Sequence, residues 1–354
     1  MTASTLEHLR LFVGQVYSRA SSQPTPSLHK NGNTRTLEAF ADALDSELRM
    51  FDKWCAQREE SICKAQAGIG GGLPVTLLNL EKSIRDEFAS SFSVLASILP
   101  PLPTTQSRIS SPASRTSCLL DTLFTQVQEH ISMFDLVTAD ALMRVFARSA
   151  EPVWGMVSKW LKEGMPVREG TGQNIAGGGL EEEFFIEDNE IGLLDPDFWT
   201  NGYELREVAV GDDESGNSNR PKTIPVFLAH VAADVLSSGK ATGLLRALGI
   251  PPTVDGTRPL IHHSFSDLLI THTNSSDKTK ETSLSTDTLI GIVYDELAPY
   301  CRATGVLLTN VLVGDCDLWK HLGAIEDLYL MRRGDAMSHF TDILFAKVSD
   351  ILIS

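Results

Sequence analysis

Three long sets of apolar residues, recurring at steps of three and four, constrain this chain more than any other feature. Leu37, Phe40, Leu44, Leu48, Phe51 and Cys55 form the first set. Leu77, Leu80, Ile84, Phe88, Phe92, Leu95 and Leu99 form the second, and Leu120, Leu123, Val127, Ile131 and Phe134 the third. Residues at this spacing share one face of a helix, so each set draws an apolar stripe along it. The segments GIGGGLP and PPLPTTQSRISSPASR separate the stripes, and their glycines and prolines end helices. Three such stripes must cover one another, and an antiparallel bundle is the simplest way to do so.

The rest of the chain extends this pattern. Ser4 and Glu7 are spaced as a capping box, which predicts a short helix to about Ala20, followed by a loop over 21–35. Leu289, Val293, Leu297 and Tyr300 predict one later helix; Leu318, Leu322, Ile325 and Tyr329 predict another. The expected fold class is all-α, with at most a little strand near Phe184–Ile186 and Tyr203–Val208. Disordered polar insertions are expected near 165–182, 211–222 and 249–287. THTNSSDKTKETSLSTDT, within the last, has too little apolar surface to offset the entropy of ordering it. The expected domains are a helical bundle over 1–115, a second region over 116–333 and a final segment over 334–354.

Charge narrows the partners. The 354 residues include 30 basic and 46 acidic side chains, a net charge of −16, which disfavours nucleic acid or an anionic membrane. No run of eighteen apolar residues offers a membrane span. Five dispersed cysteines, Cys55, Cys63, Cys118, Cys301 and Cys316, suit thiols in a reducing compartment. Cys55 lies on an apolar stripe, which assigns it to packing.

No set of residues has the spacing that catalysis or metal binding needs. The glycine clusters Gly68–Gly72 and Gly177–Gly179 do not lead into the Gly-Lys-Ser/Thr of a phosphate loop and read as linkers. His262, His263 and His272 fall in a polar tract without helical ligand spacing. Asp212-Asp213-Glu214 sits in a loop, not on a stripe where it could face a magnesium ion across a bundle. Arg333-Gly334-Asp335 reads as a helix break, and Asn274-Ser-Ser as a glycosylation acceptor only in a secreted chain. No catalytic, cofactor-binding or metal-binding residue is assigned.

The central stretch, 147–207, is the densest in aromatics. Glu151-Pro152 reads as a helix start, because proline fits a first helical turn, and Gly164 as its stop. Trp154, Trp160 and Trp199 lie among other apolar residues, and core packing is their expected role. Three blocks here, EPVWGMVSKWLKEG (151–164), EFFIEDN (183–189) and DFWTNGYELR (197–206), resemble the gamma-tubulin complex proteins, also called the spindle pole body component family. PVFLAHVAADVLSSGKATGLLR (225–246) resembles a proline-led helix of that family. DLYLMRRGDAMSHFTDIL (327–344) resembles the entry to its second conserved region. The residues before about Thr116 suggest the divergent component-five type of filamentous fungi.

The resemblance implies a non-catalytic scaffold subunit of a gamma-tubulin complex, acting in microtubule nucleation at the microtubule-organising centre. The implied partners are other gamma-tubulin complex components and gamma-tubulin itself, with no nucleic acid and no membrane. The implied location is the cytoplasm, cytoskeleton and spindle pole. Little of the second conserved region is present, so weak or no direct contact with gamma-tubulin is expected. Met337, Phe340, Leu344, Val348 and Ile351 predict a last amphipathic helix, and self-association through it is a further expectation. A helical adaptor unrelated to microtubules, or an all-α enzyme, would share the stripes but not the ordered blocks.

Overall fold

The hydrophobic stripes become helices gathered around one long central helix. The computed structural model describes residues 3–21, 33–66, 76–100, 111–166, 180–192, 195–206, 223–250, 261–262, 264–275, 286–329, 332 and 334–353. The two glycine clusters, His263, Asp212–Glu214, Arg333 and most of the three expected insertions lie outside them. The helices are α1 (Ala3–Ser21), α2 (Arg35–Gln66), α3 (Leu77–Ile84), α4 (Ser90–Ile98), α5 (Pro112–Ser132) and α6 (Leu136–Glu163). They continue with α7 (Phe198–Asn201), α8 (Ala232–Ala247), α9 (Phe265–Ser275), α10 (Thr286–Asn310), α11 (Leu318–Tyr329) and α12 (Gly334–Ile353). A π turn, Arg85–Ala89, joins α3 to α4, and a second, Val311–Asp315, follows α10. The described strands are β1 (Ile186–Asp188) and β2 (Tyr203–Leu205), paired antiparallel with Ile186 opposite Leu205. The fold is all-α apart from this ribbon.

Two compact units divide the chain, Met1–Cys301 and Arg302–Ser354. In the first, α6 packs against α2, α4, α5, α8 and α9, while α1 packs against α2 and α4. Phe40, Leu44, Phe92, Leu95, Leu120, Leu123, Leu142, Val145 and Phe146 fill the core between these helices and are essentially inaccessible to solvent. Aromatic edges tie the stripes together, as where Phe51 meets Phe88 at 5.2 Å and Phe92 at 5.7 Å. In the second unit Trp319, Leu322, Ile325 and Tyr329 of α11 are exposed, as are Phe340, Leu344 and Val348 of α12.

Four expectations need correcting. Pro152 lies inside α6 and does not start it. An interior proline costs about 3 kcal/mol, but Ala150, Val153, Trp154 and Val157 around it are all buried. At roughly 1.5–3 kcal/mol for each large side chain, burial outweighs the lost hydrogen bond. Secondly, 249–287 is not wholly a polar insertion, because α9 forms within it. Phe265, Leu268 and Leu269 give α9 a three-four stripe that is buried against the core, too short to stand out from its polar flanks. Thirdly, Phe134 does not close the third stripe. It sits in the turn after α5 with φ 58° and is 87% exposed. Lastly, Leu77 at the start of the second stripe is exposed, since no residue of α3 is buried.

Candidate functional site

Acidic side chains fasten the ends of helices to one another throughout the first unit. A helix leaves its first N–H groups without partners, and a carboxylate there satisfies them and the positive end of the helix dipole. Glu183, buried, accepts from the N–H groups of Arg35 and Thr36 at 2.8 Å each, and from the Thr116 hydroxyl at 2.8 Å. One carboxylate thereby joins the ribbon segment to the start of α2 and to α5. Burial and the charge of Glu183 together push the neighbouring Glu38 carboxyl up. Glu151 does the same for α9, accepting from the Phe265 N–H at 2.9 Å and the Ser264 hydroxyl. Asp121 accepts from the Val226 N–H at 2.8 Å, at the 3-10 turn Val226–Leu228.

The C-terminal end of α6 is closed by side chains and glycines. The last carbonyls of a helix also lack partners. Those of Leu161 accept from the Thr242 and Tyr300 hydroxyls, that of Glu163 from Arg246, and that of Trp160 from the Gly164 N–H. Gly164 takes φ 72°, a conformation open to glycine at little cost. Trp160 packs against α8, its indole donating to the Val235 carbonyl at 2.9 Å. A Cβ on Gly239 would stand 2.0 Å from the Trp160 indole nitrogen, and one on Gly243 2.3 Å from Met165 Cγ. Glycine at these positions lets α8 approach this closely.

Further residues of the central blocks have internal roles. Trp154 donates to the His262 carbonyl at 2.9 Å, and His262 is held by Glu296 through its N–H at 2.7 Å and its Nδ1 at 2.8 Å. His262 is therefore part of the join between α6 and α10, not of a free polar loop. Tyr203 donates to the Pro166 carbonyl, Arg206 to the Phe184 carbonyl, and Asn189 to the Asn201 carbonyl. Cys55 packs half-buried against the core. Trp154 and Trp160 are core residues as expected, but Trp199 is not: it is 44% exposed, stacked edge-on against Phe198 at 5.1 Å. The Trp199 carbonyl accepts from Lys240, whose ammonium is held below its ordinary pKa by burial.

Among the described residues, Trp154, Trp160 and His262 thus join a network that fastens helices to one another. No group of three His, Cys, Asp or Glu side chains among the described residues is arranged as a metal site. No described helix is long and apolar enough to cross a membrane. Sequence reasoning overlooked Glu183, Asp121 and Glu296 as fastening residues. Their partners lie 147, 105 and 34 positions away, so no local spacing marks them. The family model described as gamma tubulin complex component N-terminal matches residues 2–303. The four blocks between Glu151 and Arg246 fall inside that span, and the block starting at Asp327 falls beyond it. A search of curated proteins returns no match.

Proposed function

Because the chain belongs to the gamma tubulin complex component family, we propose that it is a scaffold subunit of a gamma-tubulin complex. In this reading it contributes to microtubule nucleation through lateral contacts with sister subunits, at the microtubule-organising centre and spindle pole. The observation that carries the reading is the match over residues 2–303, within which the most recognisable side chains serve to hold helices together. Residues spent on rigidity suit a part whose task is to hold neighbours at a fixed spacing. The outer faces of the helices are then left to make the subunit contacts. Depletion of the protein tests this: after cold depolymerisation, fewer microtubules should regrow from each organising centre. Regrowth at the normal rate in depleted cells would overturn the nucleation role.

A further inference from the structure

An acidic, partly apolar groove opens between the π turn at Arg85–Ala89, α4 and the first turns of α6. Phe88, Leu136, Val137 and Ala141 give it apolar walls, and its volume is about 330 Å³. Three carboxylates, Glu47, Glu87 and Asp140, border it against one guanidinium, that of Arg144. Arg144 is already engaged: it binds both Glu47 oxygens at 2.9 Å and also pairs with Asp140. Among the described residues Glu87 is paired only loosely, 3.9 Å from Arg58. The groove therefore presents net negative charge beside apolar surface.

The turn before α6, which leads in sequence into Leu136 and Val137, adds apolar area of its own. The turn between α5 and α6 is closed by the Phe134 N–H bonding to the Ile131 carbonyl and the Asp135 N–H to the His130 carbonyl. Such a turn favours glycine at the position of positive φ, yet here Phe134 occupies it at φ 58°. With the ring 87% exposed, packing within the unit does not offset that conformation. Met133, Leu136 and Val137 beside it are exposed as well.

We propose that this groove is a docking site for an amphipathic helix of a partner protein, with lysine or arginine flanking its apolar face. The walls are helical and present no strand edge, so an extended peptide would find few partners for its backbone. A helix satisfies its own backbone and needs only a stripe of anchors. A second copy of the chain fits less well, because at −16 it would bring like charge to an acidic groove.

The test uses the full chain and a fluorescein-labelled synthetic helix with leucines on one face and lysines beside them. Two comparison peptides carry glutamate for lysine, or the same basic composition scrambled. Fluorescence anisotropy should show saturable binding of the first peptide alone, weakening as salt rises. Val137→Asp and Glu87→Lys should each weaken it about tenfold or more, while Ile270→Asp on α9 leaves it unchanged. Aspartate in a first helical turn is well tolerated, and an unchanged melting temperature for Val137→Asp would show that its fold is intact. The proposal is overturned by equal binding of the acidic or scrambled peptide, by no saturable binding, or by variants that bind like the original chain. A concentration-dependent dimer of the chain that Val137→Asp abolishes would also overturn it, making the groove a self-contact.

Discussion

Glu183 has the most to lose at the scale of a single residue. Its buried carboxylate satisfies two backbone donors of α2 and one hydroxyl of α5. Replacing it with alanine strands all three, and a lost charged cap together with unpaired buried donors costs on the order of 3 kcal/mol. Urea unfolding of Glu183→Ala should show that loss, and Glu183→Gln, which keeps one acceptor, should lose less. Asp135 makes a pH-dependent contribution. Partial burial pushes its carboxyl up, but hydrogen bonds from Thr138 and Ser90 and the proximity of His130 outweigh this and leave it below the ordinary range. A carboxyl whose folded pKa is depressed adds stability above its unfolded pKa and loses it as pH falls through the folded one. The stability gap between the original chain and Asp135→Ala should therefore be open near neutrality and close in acid below the ordinary carboxylate range. A gap that persists there would assign the effect of Asp135 to packing.

At the scale of elements, α6 and α8 approach so closely that a Cβ on Gly239 would meet the Trp160 indole. Trp160→Ala should cost about 3–5 kcal/mol as a truncated buried aromatic, and Gly239→Ala about 1–3 kcal/mol from overpacking against the indole. The two faults share one space, so the double variant should be clearly more stable than the sum of the singles predicts. Simple additivity in a double-mutant cycle by urea unfolding would contradict the contact. The same elements show how much of the fold was legible in sequence. The stripes of α2, α4, α5 and α10 are local patterns, and their buried members are Leu37, Phe40, Leu44, Leu48 and Phe51, then Phe92 and Leu95, then Leu120, Leu123 and Val127, then Leu289, Val293, Leu297 and Tyr300. The passage of α6 through Pro152 was not legible, since its cause is burial by residues distant in sequence. Nor was α9, whose stripe of Phe265, Leu268 and Leu269 needs the core to make it a helix. Trp199 misled for the opposite reason: Phe198 beside it is buried, but its own ring is exposed. The fastening carboxylates carry no local signal at all, because their partners are brought to them only by the finished fold.

At the scale of the whole molecule, the proposed scaffold role asks for a helical unit that holds its shape. The unit Met1–Cys301 carries almost the whole family match, and its recognisable residues are engaged inside it. What remains for partners is the outside, which is acidic overall in a chain of net charge −16. Membership of the assembly is measured most directly by affinity capture of the tagged full chain from cells in which gamma-tubulin complexes are assembled, with mass spectrometry of what comes with it. Other gamma-tubulin complex components should be recovered with the chain. Capture of the folded chain with no such component would contradict the account.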